Sequence, residues 1–410
     1  MAKDPILIVG GGRAAASLID AYREAGGDAL ITVVSSDEHP PYNRPPLSKA
    51  VLRGELEPLA ALVHSPEEYD DLVVELRLGS TVEAIDIAAR TVTVTGGDEL
   101  PYGTLVIATG ARPRVLGVPG GDLPAVHAFR TIADAEAVKA EAATARKALV
   151  VGGSFIGSEV AASLSMLGLE VTLVEMGERL VPALASAELS EQIAELYREH
   201  GVELLFGEQI EEFNANGLML TGARTGSGHM VEAFLAVVGV GVEPNTDFLA
   251  GSGLELEDGI VVDEHFRASV DDVYAIGDVA RFDDVVSGRR RRIEHWSNAD
   301  GHGTRLGQNL AGGRTGYAQV PVFFTKLFDL QLQLLGDTEG VDEVVLRGSI
   351  AERHLVALYL REERLVAAAL VGQAGDMAEE LKSLLRAKPR VSDRSKLANR
   401  SVRPAVVFAD

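Results

Sequence analysis

The sequence contains no cysteine among its 410 residues. This absence excludes a disulfide framework, a Cys-x-x-Cys redox pair and an iron–sulfur cluster held by thiolates of this chain. The sequence also has no apolar stretch approaching ~18 residues, the length that identifies a membrane-spanning helix. Its first residues enter an apolar segment directly, without the regions of a signal peptide. We therefore expect a cytoplasmic protein with no membrane partner.

Positive charge is scarce, because 38 Lys and Arg residues are outnumbered by 61 Asp and Glu residues, for a formal net charge of −23. Such a chain repels phosphate, so we expect no nucleic-acid partner. Two regions are basic: residues 289–292 and the carboxy-terminal segment 381–410. The nine histidines show no spacing typical of metal ligands, so we expect no metal site.

Glycine is plentiful, and much of it lies in two similar strand–turn–helix–strand patterns. The first pattern spans residues 5–36 and the second spans residues 150–175. In each, an apolar strand ends in a glycine-rich turn that opens a helix, which brings a helix amino terminus close to a pyrophosphate. Because one dinucleotide needs one such turn, the sequence predicts two dinucleotides with electrons passing between them.

The order of elements predicts an α/β fold with two Rossmann-like dinucleotide-binding domains and a carboxy-terminal α+β domain. Residues 73–94 alternate in hydrophobicity and predict a small antiparallel sheet. From about residue 320 the chain shows strands with hairpin-like spacing, followed by an amphipathic helix at 376–387. The predicted domains are a discontinuous first domain at 1–112 and 243–319, a second at 113–242 and a third at 320–410.

The first turn has the spacing Gly10-x-Gly12-x-x-Ala15. Such a turn between a strand and a helix indicates a dinucleotide site, and a tight turn that binds nothing is the alternative. An acidic residue is expected at the end of the second strand, where it would bind ribose hydroxyls. Because Asp37 lies just beyond that strand end, the ribose partner in this half stays open.

The second turn has the spacing Gly152-x-Ser154-x-x-Gly157, with serine in place of the middle glycine. Its second strand ends at Glu175, 23 residues after Gly152. A carboxylate there accepts a hydrogen bond from a ribose 2′-hydroxyl and repels a 2′-phosphate, which favours NADH over NADPH. Arg179 nearby leaves NADPH as the alternative.

Five segments together carry a family resemblance: PYNRPPLSK (41–49), LVIATGARPR (105–114), VVGGSFIGSEVAASL (150–164), VYAIGDVA (273–280) and RIEHWSNADGHG (292–303). They resemble the FAD-dependent ferredoxin reductases, the oxygenase-coupled branch of the glutathione-reductase-like flavoproteins, which is similar to apoptosis-inducing-factor-like proteins. The resemblance extends to about residue 340. It implies FAD in the first domain, NADH in the second and electron delivery to a ferredoxin, a small iron–sulfur protein that would feed an oxygenase or a cytochrome P450.

The resemblance also assigns roles to residues. It implies an FAD site that includes Gly10, Gly12, Ala15, Asp37, Arg44, Lys49, Thr109, Gly110, Arg130, Gly277, Asp278, Trp296 and Phe324. It implies an NAD site that includes Gly152, Ser154, Phe155, Ile156, Gly157, Glu175 and Gly241. Within the FAD site, Asp278 would bond the ribitol chain and Trp296 would lie near the isoalloxazine, although a core position is the alternative for this tryptophan.

Lys49 and Glu159 are the catalytic residues that the resemblance implies, paired with each other beside the flavin. A cation near the flavin would stabilise the negative charge that reduction brings. A surface salt bridge is the alternative for Lys49, and an ordinary helix position is the alternative for Glu159. His295 and His302 are not expected to act as acid–base groups, because hydride transfer between nicotinamide and flavin needs none.

The chain departs from the family pattern after Pro321, where relatives have aromatic-Trp-Ser-Asp and this chain has Phe323-Phe324-Thr325-Lys326. The lysine reverses a charge where the family's partner docks. We therefore predict that ferredoxin docks on a basic surface formed by Arg289, Arg290, Arg291, Arg292 and Lys326. A solvated arginine run that binds nothing is the alternative.

Two other functions remain open at this stage. One is an NADH:quinone or dye reductase, and the other is an apoptosis-inducing-factor-like NADH flavoprotein with slow turnover. The sequence leaves monomer and homodimer equally open.

Overall fold

The computed structural model describes residues 4–372 and 375–409. The chain divides into two compact units. Unit 1 comprises residues 4–43, 59–112 and 243–321, and unit 2 comprises residues 44–58, 113–242 and 322–409. The three domains with boundaries at 112, 242 and 319 remain a prediction, because compactness alone does not establish which segments fold independently.

The described residues contain eight α-helices: α1 (Arg13–Glu24), α2 (Pro66–Asp71), α3 (Ile132–Ala142), α4 (Phe155–Met166), α5 (Ala187–Glu199), α6 (Trp296–Leu310), α7 (Gly375–Ala387) and α8 (Pro404–Val407). Shorter turns are a π-helix at Leu47–Val51 and 3₁₀ helices at Pro58–Ala61, Pro182–Leu184, Asp247–Leu249, Gly277–Val279 and Arg394–Lys396. Over residues 4–372 and 375–409, no helix is long and apolar enough to cross a bilayer.

Unit 1 is built on a five-stranded parallel sheet. Its strands, in spatial order, are Val273–Ala275, Thr104–Ile107, Ile6–Val9, Ile31–Val34 and Val74–Arg77. The central strands are short runs of valine, isoleucine and leucine, as expected for parallel strands that are covered on both faces. Ile6–Val9 is buried throughout and leads directly into the first glycine-rich turn.

The predicted antiparallel sheet at 73–94 is partly wrong. Val74–Arg77 pairs in parallel with Ile31–Val34 at the edge of the central sheet. The antiparallel sheet instead consists of Val82–Asp86, Thr91–Val94 and Glu99–Pro101. The prediction failed because an edge strand with one exposed face alternates in hydrophobicity whether its neighbour is parallel or antiparallel.

Helix α1 packs closely along α6 in unit 1. A Cβ added at Gly303 of α6 would lie 2.2 Å from the Ala14 carbonyl oxygen, and one at Gly307 would lie 2.4 Å from that of Leu18. The crossing therefore requires glycine at both positions, and it fixes α1 and the turn before it. Unit 1 also contains a four-stranded sheet made of Leu256–Glu257, Gly259–Val261, Ala280–Asp284 and Arg289–Arg291.

Unit 2 repeats the five-stranded parallel arrangement. Its strands, in spatial order, are Glu203–Phe206, Glu170–Glu175, Lys147–Val151, Leu235–Val238 and Val126–Ala128. A three-stranded antiparallel sheet made of Ile210–Asn216, Met219–Thr225 and Met230–Glu232 packs its buried side chains into the same core. Two further short strands, Ala111–Pro113 and Val242–Pro244, contain two of the points at which the chain passes from one unit to the other.

The last part of unit 2 is an antiparallel sheet. Its main strands, in spatial order, are Val322–Leu327, Leu330–Gly336, Arg364–Val371, His354–Arg361 and Glu343–Ser349, and Arg390–Val391 and Phe408–Ala409 extend it. The predicted helix at 376–387 is present as α7, which buries Leu381 and Leu385. Two parallel sheets followed by an antiparallel sheet with a helix confirm the predicted fold class.

Candidate functional site

The helices that follow the two glycine-rich turns begin differently from α2, α3 and α5. Helices α1 and α4 have no side-chain cap and no acidic residue in the first turn, and α6 and the short α8, which follow no glycine-rich turn, share these features. In α2, α3 and α5 a serine or threonine caps the helix, and the first turn carries an acid. Uncapped N–H groups in a first turn that itself carries no acidic residue suit an anionic phosphate. Both turns therefore fit the pyrophosphate of a dinucleotide.

The first turn leaves its backbone open at the expected position. Gly10 has a φ of +110°, and a Cβ there would lie 2.3 Å from the Ala108 carbonyl oxygen. A Cβ at Gly12 would meet no heavy atom within 4 Å. Ala15, at the third position, is a fully buried residue of α1. The open space at Gly12 is the cradle that a pyrophosphate requires.

Asp37, the candidate ribose partner, is held by its own loop. One carboxylate oxygen accepts a hydrogen bond from the Tyr42 hydroxyl at 2.7 Å, and the other accepts from the backbone N–H of His39 at 3.0 Å. The carboxylate is therefore oriented before any ligand arrives. Its contact with ribose remains a prediction.

Thr109 and Gly110 lie just after the strand Thr104–Ile107 and are held by Asn245. The Thr109 hydroxyl donates to the Asn245 carbonyl oxygen at 2.9 Å, and the Asn245 amide donates to the Thr109 carbonyl oxygen at 2.9 Å. The Asn245 backbone N–H also bonds the Gly110 carbonyl oxygen at 3.0 Å. Asn245 was missed in the sequence, where a lone asparagine in a loop carries no signal.

Gly277 and Asp278 open a 3₁₀ turn in unit 1. The Gly277 N–H donates to Nδ1 of His302 at 3.2 Å, and Arg292 donates to the Asp278 carbonyl oxygen at 2.7 Å. His302 is fully buried among Phe266, Phe282 and Tyr317. The turn is thus fixed by a neutral imidazole and a guanidinium.

Burial lowers the pKa of His302 to about 3, and it lowers the pKa of His295 to about 4 by the same desolvation, partly opposed by Asp278. Both imidazoles are therefore neutral near pH 7. The expectation that neither histidine serves as an acid–base group remains a prediction.

Trp296 is the first residue of α6, and both its indole N–H and its ring face contact other side chains. Its indole N–H donates to the Asn43 side-chain oxygen at 3.0 Å. The Arg13 guanidinium lies 4.8 Å from the ring centroid and donates to Asp300. Because Arg13 is the first residue of α1, the tryptophan is tied to the helix that begins at the first glycine-rich turn.

Lys49 and Glu159, both in unit 2, form the predicted pair. The Lys49 Nζ lies 2.6 Å from Oε1 of Glu159, and the Glu159 side chain is 3% exposed. Burial lowers the pKa of Lys49, while the charge and hydrogen bond of Glu159 oppose that shift. The geometry places a mostly buried cation beside a buried carboxylate.

Three further predicted FAD residues lie in unit 2. Arg44 opens the segment that leads to the π-helix, and Phe324 is 39% exposed on the strand Val322–Leu327. Arg130 precedes α3, and its backbone N–H donates to Asp134 at 2.9 Å. The predicted FAD residues are thus distributed over both units, and their common role in one site remains a prediction.

The second turn begins with the same glycine geometry as the first, directly after its strand. Gly152 has a φ of +102°, and a Cβ there would lie 2.5 Å from the Gly239 carbonyl oxygen. The Ser154 hydroxyl donates to that same carbonyl at 3.2 Å. A Cβ at Gly157 would lie 1.9 Å from the Gly152 carbonyl oxygen, so only glycine fits there.

The remaining predicted NAD residues surround this turn. Phe155 stacks on Phe323 with ring centroids 3.7 Å apart, and Ile156 is 42% exposed at the start of α4. Gly241 has a φ of +97°, and its carbonyl oxygen accepts from the Arg114 N–H at 3.0 Å. An exposed isoleucine at an uncapped helix start offers an apolar surface beside the phosphate position.

Glu175 lies at the end of its strand, as the sequence predicts. Its two carboxylate oxygens accept hydrogen bonds from the backbone N–H groups of Gly153 and Gly177, both at 2.6 Å. The side chain therefore braces the glycine-rich turn. Its further role as a ribose partner remains a prediction.

A cavity of about 300 Å³ lies just beyond this strand end. Its lining includes Met176, Glu208 and Glu211. The Glu208 N–H bonds the Glu175 carbonyl oxygen at 3.2 Å, which ties the cavity to the candidate ribose position. Carboxylates on this surface would repel a 2′-phosphate, which supports the preference for NADH.

The arginine run forms one strand of a hairpin in unit 1, and acids face it. Arg290 pairs with Asp283 at 3.0 Å and Arg291 pairs with Asp284 at 2.7 Å. Arg292 pairs with Glu294 at 2.8 Å. These ion pairs offset much of the positive charge on which the docking surface was predicted, and Arg289 belongs to the same strand. Docking at this hairpin stays a prediction with a weaker electrostatic basis.

Two parallel sheets, each with a glycine-rich turn that opens an uncapped helix, define an oxidoreductase that holds two dinucleotides. The chain belongs to the pyridine nucleotide-disulphide oxidoreductase family, whose model matches residues 4–303. The reductase C-terminal model matches residues 322–403. The family confirms the predicted enzyme class with FAD and NADH as cofactors, although this chain has no cysteine for disulphide chemistry.

Relatives match nearly the whole chain. The ferredoxin reductase subunit of 5,5'-dehydrodivanillate O-demethylase from Sphingobium sp. is 36% identical over 96% of this chain and 95% of its own length. Rhodocoxin reductase from Rhodococcus erythropolis is 36% identical over 84% of this chain and 81% of its own length. The predicted resemblance to ferredoxin reductases is confirmed.

Solved structures agree with these relatives. The ferredoxin reductase for the CYP199A2 system from Rhodopseudomonas palustris has a TM-score of 0.94 and 32% identity, with 99% of this chain and 100% of that chain covered. The reductase in the covalent putidaredoxin reductase–putidaredoxin complex has a TM-score of 0.93 and 29% identity, with 98% and 97% covered.

Proposed function

We propose that the protein is an NADH-dependent ferredoxin reductase that passes electrons from NADH through FAD to an oxygenase or cytochrome P450 ferredoxin. The observation that carries this proposal is the pair of uncapped, acid-free helix starts at Gly12 and Ser154, one in each parallel sheet. Relatives named as ferredoxin reductase components support the choice of acceptor.

FAD, when bound, accepts two electrons together and releases them singly, which suits a nicotinamide donor and an iron–sulfur acceptor. The chain's part is to bind and orient. The α1 N-terminus at Gly12 receives the FAD pyrophosphate, and the α4 N-terminus receives that of NADH. Glu175 binds the NADH ribose and selects against a 2′-phosphate. Lys49 supplies a cation that stabilises the negative charge of the reduced flavin.

The proposal also includes the domain assignments, the need for an external electron acceptor and the location in the cell. The FAD domain is assigned to 1–112 and 243–319, the NAD domain to 113–242 and the interface domain to 320–410. The absence of cysteine leaves no disulfide relay within the chain, so electrons must leave the flavin for an external acceptor. We also assign the protein to the cytoplasm, where NADH is available, and cell fractionation tests this location.

The test is rapid mixing of the purified protein with NADH, followed by steady-state reduction of putidaredoxin and of ferricyanide. We expect a yellow protein with one FAD per chain, fast reduction by NADH and turnover with a ferredoxin. A correctly folded but colourless protein that cannot be reconstituted with FAD would contradict the proposal. Slow reduction with a long-lived charge-transfer complex would instead favour the apoptosis-inducing-factor-like alternative.

The docking surface needs a test that allows for the ion pairs. Arg290→Ala leaves Asp283 unpaired, so its effect mixes lost positive charge with gained negative charge. The double change of Arg290 and Asp283 to alanine removes both charges of the pair. If Arg290 contacts the ferredoxin, both variants should slow reduction of putidaredoxin but not of ferricyanide. An effect of the single variant alone would assign it to the unpaired aspartate.

A further inference from the structure

Glu159 is a carboxylate buried in helix α4, with only 3% of the residue exposed. A buried charge is costly unless a counter-ion and hydrogen bonds replace the water it has lost. The Lys49 ammonium supplies the counter-ion, 2.6 Å from Oε1. One ion pair leaves most of the acceptor capacity of a carboxylate unused.

Two hydroxyl groups supply the rest. The Thr325 hydroxyl donates to Oε1 of Glu159 at 2.6 Å, and the Ser48 hydroxyl donates to Oε2 at 2.5 Å. The Ser48 hydroxyl also accepts from the Lys49 ammonium at 3.3 Å, so it bridges the two charged groups. Each oxygen of the carboxylate is therefore held by at least one short hydrogen bond.

These donors come from two different elements of unit 2. Ser48 and Lys49 are neighbours in the π-helix Leu47–Val51, which packs against α4. Thr325 comes from the strand Val322–Leu327 of the C-terminal sheet. The carboxylate thus ties three elements together through the same pair of oxygens.

The strand places Thr325 with little freedom. Successive side chains on a strand alternate between its faces, so Thr325 and Phe323 share one face while Phe324 and Lys326 share the other. The Phe323 ring stacks on Phe155, the first residue of α4. This stacking fixes the register that brings the Thr325 hydroxyl to Glu159.

We propose that Ser48 and Thr325 are positioning residues, whose hydroxyls hold the Glu159 carboxylate against Lys49 and so keep that lysine charged and fixed for flavin reduction. The proposal rests on the proposed function for the role of Lys49, but the hydrogen bonds exist in the protein alone. Burial lowers the pKa of Lys49, and the charge and hydrogen bond of Glu159 partly oppose that shift while the carboxylate stays in place. The hydroxyls provide that constraint from two sides.

The threonine offers a sharp test, because valine has nearly the same shape without a donor and serine keeps the donor. We expect Thr325→Val to lower the equilibrium constant for two-electron flavin reduction about tenfold, a potential shift of roughly −30 mV. Thr325→Ser should restore most of the wild-type potential. The potential is measured against reference dyes on fully FAD-loaded protein, with Ser48→Ala expected to shift it in the same direction.

Thr338→Val is the matched control. Thr338 lies in the same C-terminal part of the chain, and its hydroxyl donates to the Ala183 carbonyl oxygen at 2.8 Å, away from Glu159. Its loss should leave the potential unchanged. An equal potential for Thr325→Val and Thr338→Val, or equal shifts for the valine and serine variants of Thr325, would overturn the proposal.

A second measurement needs no flavin. Thr325→Val should lower the urea midpoint of the apoprotein, and the same change should have much less effect in a Glu159→Met background, where no acceptor remains. If Thr325→Val lowers the urea midpoint equally in the wild-type and the Glu159→Met backgrounds, the proposed hydrogen bond is overturned. This comparison uses apoprotein, so it also holds if the Thr325→Val variant fails to bind FAD. Failure of the proposed function would look different, because the wild-type protein itself would then bind no FAD.

Discussion

The two glycine-rich turns have the same backbone but differ in the side chains that they tolerate. Their first glycines have φ of +110° and +102°, and a Cβ on either would clash with a carbonyl of the facing loop. At the third position, the Ala15 side chain is accommodated as a buried residue of α1. A Cβ at Gly157, by contrast, would lie 1.9 Å from a carbonyl oxygen. Equal spacing in the sequence therefore conceals unequal packing.

At the middle position of the motif, glycine is in the first turn, as Gly12, and the second turn has Ser154. Gly12 faces open space, so the packing of the fold does not require glycine there, and its contact with a pyrophosphate remains a prediction. Ser154 carries a side chain, but its hydroxyl turns to the Gly239 carbonyl oxygen. The second turn thus requires glycine where the helix meets the strand, whereas the first has its middle glycine where the pyrophosphate is predicted to bind.

The largest effect should come from Gly157→Ala. The added methyl group meets backbone that cannot move without shifting α4 or the strand Lys147–Val151. We expect a loss of about 3 kcal/mol or more in the free energy of unfolding, measured by urea denaturation. The matched change in the first turn, Ala15→Gly, should cost only about 0.5–1 kcal/mol, because it creates no clash. Similar losses in the two variants would contradict the inequality of the turns.

The second contrast concerns how the free energy of unfolding depends on pH. The loop facing the first turn is held by His302, whose pKa is lowered to about 3. The unfolded chain takes up a proton near pH 6.5 and the folded chain does not, so stability should fall as the pH drops from about 6.5 towards 3. The slope per buried histidine is at most about 1.4 kcal/mol per pH unit.

His302→Gln isolates this contribution, because a glutamine oxygen can accept from the Gly277 N–H without titrating. The variant should lose less stability than the wild type between pH 7.5 and pH 5, as measured by urea unfolding at both values. Parallel losses would mean that His302 is protonated in the folded protein.

The third contrast concerns Glu175 and Asp37, the acidic residues at or just beyond the end of the second strand in each half. Glu175 is expected to contribute on the order of 1–3 kcal/mol to NADH binding if its contact with ribose is shielded from water. Glu175→Ala should therefore lower kcat/KM for NADH at least tenfold and narrow the gap to NADPH. Asp37→Ala, in the other half, should leave the NADH to NADPH ratio unchanged. A wild-type kcat/KM higher for NADPH than for NADH would contradict this assignment.

Glu175 also braces the turn through Gly153 and Gly177, so the alanine variant combines two effects. Glu175→Gln keeps one acceptor for the backbone and removes the charge. A selectivity change in both variants would assign it to charge, and a change in the alanine variant alone would assign it to the turn.

The fold could be predicted from the sequence because parallel strands are apolar runs, and glycine-rich turns mark where each strand meets a helix. Lys49 and Glu159 were predicted from the family motif and prove to be in contact. Asn245 and Thr325 were not predicted, because they act through carbonyl and carboxylate oxygens of residues 136 and 166 positions away. No local pattern encodes such partners.

The predicted docking surface has a weaker electrostatic basis for a related reason, and it stays a prediction. Arg290 and Arg291 belong to a basic run in sequence, but in the hairpin Arg290 lies directly opposite Asp283, and Arg291 forms a diagonal ion pair with Asp284. Cross-strand pairing depends on the register, which the arginine run alone does not reveal. A local excess of charge in sequence therefore overstates the charge of the folded surface.

The smallest effect should come from Ser154→Gly, which gives the second turn the middle glycine of the first. The serine side chain already points to Gly239, so its removal opens little space for a pyrophosphate. We expect KM for NADH to change less than about threefold, under ~1 kcal/mol, and the stability to fall by roughly 0.5–1 kcal/mol from the added freedom of the unfolded chain. Ser154→Ala separates the hydroxyl from the Cβ. If both variants lower KM for NADH tenfold or more, the hydroxyl obstructs the dinucleotide, and the contrast between the two middle positions would have to be abandoned.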